Sequence, residues 1–427
     1  MKTGLTARVA VTALATALAG IALTLPAAGA TGSAAGSATG FAVGSPAGSA
    51  AAPAHHGTYA PPHGTPQGRS PAPTHGGRTL QAHVDAVFRT GPVGVVALSA
   101  GPRGSRHATA GLADRATGDP ARPGDRFRIA STTKTFVATV MLQLVGEGRV
   151  SLDDTVEHWL PGAVSGNGND GGAITVRQLL QHTSGLFDYA ADLPVFTSTD
   201  GYRADRYTTW TPEQLVAVAT EHVPNFAPGE GWGYSNTNYI LAGMIIQKAT
   251  GHSWEREVTA RVIRPLGLRD TTAPTTYPRI SGRHLRGYSS FGEDRAPIDV
   301  TDLNPTAGGA AGAMISTTAD LSRFYRALLG GRLLRPAELA LMRTAVRAPE
   351  LDRGWPGARY GLGLMEVPLS CGGTYYGHGG DLPGYTTRNG VSGDGRRAVV
   401  LQATGDGSAD WSTQETANAL IDDELCT

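Results

Sequence analysis

Lysine is nearly missing from this chain. Of its 36 Lys and Arg residues only three are lysine, Lys2, Lys134 and Lys248. Cysteine is scarcer still, with Cys371 and Cys426 alone, and they form no C-x-x-C pair. The 36 basic side chains are balanced by 36 acidic ones, and no basic run stands out. That balance makes nucleic acids and anionic membrane surfaces poor candidates for partners. Beyond the first 30 residues no stretch is apolar enough to span a bilayer, which excludes stable membrane insertion. Also absent are G-x-S-x-G, H-E-x-x-H and the phosphate-binding Gly-Lys-Ser/Thr, so three common catalytic or nucleotide-binding designs drop out.

What is present begins with an export signal. Lys2 and Arg8 give a basic start, "VAVTALATALAGIALTL" an apolar run, and Ala28-Gly29-Ala30 a small-residue cleavage site. Residues 1–30 are therefore expected to be a signal peptide cleaved near Ala30, and the protein to be secreted; an uncleaved membrane anchor is the alternative reading of a run that approaches spanning length. Residues 31–78 are Ala, Gly, Ser, Pro, Thr and His without helical or strand period, and read as a disordered linker. Its His55, His56, His63 and His75 lack the spacing of a metal site. In an exported chain the two cysteines predict one disulfide, which would pin the C-terminal segment near Cys371.

Residues 79–427 remain for one large domain or two lobes sharing a cleft. "LQAHVDAVF" reads as a helix, followed by strands in "GVVALSAG" and "RHATAGLADRATG". The run "STTKTFVATVMLQLVGEG" has apolar residues at helical spacing and reads as a buried helix that starts at Ser131. Residues 151–310 mix short helices with long loops. Beyond Gly312, "TADLSRFYRALLGG" and "PAELALMRTAV" are helical. The tail changes period: "YGLGLMEV", "GTYYGHGG", "GYTTRNGV" and "RRAVVLQATG" read as short strands, and "STQETANALIDDEL" as a closing helix. Strands at both ends with helices between them imply an antiparallel sheet from 79–150 and 311–427, with a helical lobe from 151–310.

Lys134 lies three residues after Ser131, one helical turn away and on the same face. A serine hydroxyl is a weak nucleophile until a neighbouring base takes its proton, and a desolvated amine can be that base. Taken alone, the spacing also fits a surface lysine beside a capping serine. In "WGYSNTNY", Tyr234 and Asn236 precede a helix that starts near Thr237; a phenol can move protons and an amide can hold a substrate amide. A helix cap with a packed tyrosine is the plainer alternative. In "YGHGGDLPGY", His378-Gly379-Gly380 end a strand, and glycines there would let a backbone approach a ligand closely. A lone histidine of this kind also fits a purely structural role.

In this order the three pieces resemble the SxxK, YxN and HxG motifs of the penicillin-recognising serine hydrolases, on the class C beta-lactamase branch. The pattern is similar to that of secreted D-alanyl-D-alanine carboxypeptidases. The likeness runs from about residue 82 to the end and takes in "TVRQLLQHTSGL", "YSNTNYILAGMIIQKATGHS" and "GAMISTTADL". It implies a beta-lactamase/transpeptidase-like α/β (α+β) fold, an antiparallel sheet flanked by N- and C-terminal helices plus an inserted helical lobe. Ser131 would attack a carbonyl and Lys134 would take its proton, with Tyr234 relaying a proton to the leaving group. Asn236 would bind the acyl side chain's amide, and His378 would bond to the Tyr234 hydroxyl. Backbone N–H groups of Ser131 and Asp381 would form the oxyanion hole, and Cys371 and Cys426 would carry the disulfide. No metal or organic cofactor is implied. The partners implied are a small peptide or ester, cell-wall derived, and acylating beta-lactams, with the enzyme a monomer.

The chain departs from that pattern at the substrate. His378-Gly379-Gly380-Asp381 replaces an HTGT segment, so two hydroxyls are lost and an acid appears. Met365 stands where an arginine pairs with a terminal carboxylate, and Ala307 or a neighbour where a tryptophan lines the cleft. An esterase or amidase on neutral substrates is therefore the alternative reading, and a non-catalytic penicillin-sensing or wall-binding module the alternative of another class. Arg388 is the candidate partner for Asp381.

Overall fold

The computed structural model describes residues 79–406 and 411–427. The expected signal peptide and the 31–78 linker lie outside the described residues.

The main sheet contains nine strands among the described residues. They are β1 (Gly94–Gly101), β2 (Gly104–Gly111), β3 (Val346–Arg347), β4 (Arg359–Tyr360), β5 (Met365–Pro368), β6 (Thr374–Gly377), β7 (Gly380–Leu382), β8 (Tyr385–Ser392) and β9 (Ala398–Thr404). Their order is β2-β1-β9-β8-β6-β5-β4-β3, with β7 also paired to β8, and every pairing is antiparallel. An N-terminal and a C-terminal segment pair within the sheet, where Gly94 of β1 faces Thr404 of β9 and Ala100 faces Ala398.

Both faces of the central strands are covered, which is why "VVAL" and "AVVLQA" read as near-continuous apolar runs. Side chains alternate across the sheet. Val95 and Ala97 with Val399 and Leu401 pack under helix α1 (Leu80–Phe88) and the C-terminal helix. Val96 and Val400 face the other way, into the core shared with Phe324 and Leu328.

Helix α2 (Thr133–Gly146) has eleven of its fourteen residues buried, and a helix apolar all round belongs inside a core. It packs against α3 (Thr237–Thr250) and against residues 309–312. It thus joins the helical lobe by packing, although the sequence division at residue 150 places it with the sheet. On the other face of the sheet from α1 lies α4 (Thr318–Leu329). The chain closes with α5 (Trp411–Cys426), whose end is joined to the β5–β6 loop by Cys371–Cys426, Cα–Cα 5.8 Å.

"YGLGLMEV" is not one strand. It breaks into β4 and β5 around a turn at Gly363, φ +72°, where a Cβ would stand 2.4 Å from that of Ala138. The turn thus lies directly on α2. No helix of the described residues is long and apolar enough to cross a membrane.

Candidate active site

The chain enters α2 through a forced bend. Ala130 adopts φ +48°, a left-handed conformation that only glycine takes easily, and residues 130–132 then form a single tight helical turn. Ser131 is thereby lifted to the surface of a cleft while Thr132, Thr133 and Lys134 are buried.

Lys134 has no exposure at all. Its Nζ lies 3.0 Å from Ser131 Oγ, 2.6 Å from Asn236 Oδ1 and 2.9 Å from the Ala311 carbonyl oxygen. It also stands 4.8 Å from the Tyr234 ring centre and 5.5 Å from that of Tyr239. Burial pulls its pKa from 10.5 down to about 7, against a smaller opposing pull from Asp188. A neutral amine has two N–H bonds and one lone pair. Asn236 and Ala311 present only acceptors, so they take the hydrogens and the lone pair is left for Ser131.

Tyr234 is buried, which holds its pKa well above the usual 10, and the Ser131 side chain acts on its hydroxyl in the opposite direction. The loop that carries it hangs on a residue that the motifs did not single out. His182, left-handed at φ +62° and fully buried, accepts at Nδ1 from Ser235 N (3.3 Å) and Asn238 Nδ2 (3.0 Å). Burial drives its pKa far down, so it remains a neutral acceptor. Its ring lies 4.3 Å from that of Tyr234.

Asn236 lines the cleft and is at the same time held from within the protein. Its Nδ2 donates to both oxygens of Asp188, at 3.2 and 2.9 Å, and its Oδ1 is held by Lys134. Asp188 was not singled out from the sequence; its place five residues beyond Thr183, in "HTSGLFDY", was the available signal.

His378 does not reach the Tyr234 hydroxyl as the resemblance implied. Its Nε2 lies 2.7 Å from Tyr360 Oη and its Nδ1 2.6 Å from the Gly379 carbonyl oxygen. The carbonyl requires a proton on Nδ1, so Nε2 accepts from Tyr360. Desolvation, helped by nearby Lys134, lowers the His378 pKa to about 3 and keeps the ring neutral. The two glycines also serve protein contacts. A Cβ on Gly379 would meet the Trp355 indole at 2.9 Å, and one on Gly380 the Ile129 carbonyl oxygen at 2.2 Å.

A cleft of about 350 Å³ opens over Ser131. Its walls include Tyr189, Phe196, Asn236, Phe291, Asp381 and Leu382. Asp381 is the acid at its edge, and Arg388 Nη1 donates to both Asp381 oxygens at 3.1 Å while Nη2 donates to Gln414. Met365 and Ala307 are buried, 3% and 1% exposed. Among the described residues no group of three or more His, Cys, Asp or Glu side chains is arranged to hold a metal ion.

This arrangement holds an accessible hydroxyl between an amine that burial makes easy to deprotonate and a phenol, which is the equipment for acyl transfer. The chain is 31% identical over 277 residues to penicillin-binding protein 4 of Amycolatopsis lactamdurans, covering 62% of this chain and 69% of that one. It is 36% identical over 210 residues to esterase EstB of Burkholderia gladioli, covering 45% of this chain and about half (51%) of the esterase. Among solved structures, a D-stereospecific amidohydrolase from Streptomyces sp. superposes with a TM-score of 0.74 at 44% identity, over 80% of this chain and 97% of that one. The D-amino acid amidase of Ochrobactrum anthropi SV3 gives a TM-score of 0.71 at 30% identity, over 81% and 96%. Residues 78–423 match the family described as Beta-lactamase. The chain belongs to that family of penicillin-recognising serine hydrolases.

Proposed function

We propose that this protein is a secreted amidohydrolase that cleaves amides and esters of D-configured amino acids through an acyl-enzyme. Ser131 Oγ attacks the acyl carbon as its proton passes to Lys134 Nζ. The oxyanion is held by the N–H groups of Ser131 and Asp381, each such donor being worth about 3 kcal/mol in a transition state. Tyr234 delivers a proton to the departing amine or alcohol, the C–N or C–O bond breaks, and water then releases the acid from Ser131.

The observation that carries the substrate class is the cation balance of the cleft. Its lining side chains include the Asp381 carboxylate and no arginine, and the nearby Arg388 is turned onto Asp381 and Gln414. A peptide ending in a free carboxylate finds no unpaired cation there. A carboxamide or ester brings no such charge. The D-amino acid specificity follows the amidohydrolase and amidase named above. Secretion follows from the basic, apolar and small-residue pattern of residues 1–30.

A second reading, D-alanyl-D-alanine carboxypeptidase, draws on the 31% identity with penicillin-binding protein 4. One panel separates the two: a D-amino acid amide, its L-isomer, a short p-nitrophenyl ester and a D-Ala-D-Ala tripeptide. Faster turnover of the D-amide than of the tripeptide supports the amidohydrolase, and the reverse ranking overturns it. Ser131→Ala abolishes every activity in the panel.

A further inference from the structure

Asp188 grips Asn236 twice. Its carboxylate accepts the Asn236 side-chain Nδ2 through both oxygens, and Oδ1 also accepts the backbone N–H groups of Asn236 and Ala190, each at 3.1 Å. A carboxylate accepts hydrogen bonds only. It therefore decides which end of the Asn236 amide faces it, and the oxygen end is left for Lys134. We infer that Asp188 is a positioning residue for the acylation step, locking the Asn236 amide so that the Lys134 lone pair is aimed at Ser131. The inference rests on Ser131 and Lys134 acting as nucleophile and base.

The chemistry of the reversed amide makes the case testable. In Asp188→Asn the new Oδ1 keeps the two backbone N–H groups, so its NH2 falls 2.9 Å from the old Asn236 Nδ2, donor against donor. Asn236 relieves that clash by turning over. Its Nδ2 then points at Lys134, whose lone pair is captured by that N–H and withdrawn from Ser131. Asp188→Ala leaves no such clash and lets Lys134 itself choose the oxygen end.

The two variants should therefore rank against their effects on the local turn. Asp188 caps the turn at residues 189–192, and asparagine is as good a cap as aspartate whereas alanine is poor. A merely structural role makes Asp188→Ala the worse variant. The lock makes Asp188→Asn the worse one.

The readout is the rate at which a fluorophosphonate probe labels Ser131 in the full chain, which needs no natural substrate, alongside melting temperature. The expected loss is about 100-fold for Asp188→Asn and about 10-fold for Asp188→Ala, neither exceeding the roughly 100- to 10,000-fold that a general base contributes. Equal rates, or a slower alanine variant, overturn the inference. Labelling that persists in Ser131→Ala instead refutes the nucleophile assignment, a separate failure.

If Asp188→Asn does not fold, the alanine variant decides through its pH profile. The charged or titratable groups that face Lys134 are Asp188, His182, His378, Tyr234 and Tyr239. Burial keeps the histidines and tyrosines neutral, so Asp188 supplies the charge that favours the protonated amine. Its removal moves the acid limb of labelling to lower pH. An unmoved or raised limb overturns the inference.

Discussion

Gly380 and Ile129 touch through their backbones: a Cβ built on the glycine would stand 2.2 Å from the isoleucine carbonyl oxygen. Beside this contact, Thr132 Oγ1 donates to the His378 carbonyl oxygen at 3.0 Å. The edge strand β7 is thereby clamped to the turn that carries Ser131. Gly380→Ala must push that strand away, because the obstacle is backbone and has no rotamer to change. A fall in kcat of about 10- to 100-fold is expected, with stability lower by about 1–3 kcal/mol. Gly379→Ala meets side chains alone, the Trp355 indole at 2.9 Å and Arg388 Nη1 at 3.5 Å, and serves as the milder control. Wild-type turnover in Gly380→Ala would show that the contact does not position the site.

The pH dependence follows from Lys134. Only the neutral amine can take the Ser131 proton, and its pKa lies at about 7 in place of 10.5. The rate kcat/KM should thus fall below about pH 7 with a slope of one proton. Tyr234 and Tyr360 are held well above 10 and bring no alkaline limb in the ordinary range. Stability carries the same sign. Between about pH 7 and 10.5 the unfolded chain binds this proton and the folded chain does not, so Lys134's share of stability is lost as pH falls through that window. An acid limb that survives unchanged in Lys134→Ala would show that another base is responsible.

The reactive hydroxyl and amine were legible because they are local. Ser131 and Lys134 are joined by one helical turn, and a chain with almost no lysine makes the exception visible. The sheet was legible for the same reason: its central strands are apolar runs bounded by turns, and β1 spans Gly94–Gly101 as the period indicates. What stayed hidden depends on contacts between distant segments. His378 and Tyr360 are eighteen residues apart and meet only through the β4–β5–β6 path of the sheet. Asp188 and Asn236 are 48 residues apart on separate loops, and nothing in either segment's pattern names the other.

Cys371 and Cys426 close a loop with a sequence separation of 55, which in the chain-entropy model stabilises by about 4 kcal/mol. Neither cysteine contributes to the lining of the cleft over Ser131. Cys371→Ser/Cys426→Ser should lower the melting temperature while leaving kcat at low temperature within about twofold. A large loss of kcat at a temperature where the variant is folded would mean that the C-terminal helix shapes the site.

Asp381 and Arg388 decide how the cleft treats a carboxylate. Arg388 is only 1% exposed, and removing its charge partner leaves a buried guanidinium with Gln414 and the Thr387 carbonyl. Asp381→Thr should therefore lower stability by about 1–3 kcal/mol. It should also replace repulsion of an anionic substrate by attraction. Two like charges 4 Å apart at an effective dielectric of about 20 repel by roughly 4 kcal/mol, and solvent at this exposed edge reduces that figure. The ratio of kcat/KM for a D-Ala-D-Ala tripeptide to that for a D-amino acid amide is expected to rise by at least about tenfold. Asp381→Asn keeps an acceptor for Arg388 and should shift the ratio the same way with less loss of stability. If neither exchange moves the ratio, charge at the cleft edge does not select the substrate, and the preference must come from the apolar walls at Phe196 and Phe291.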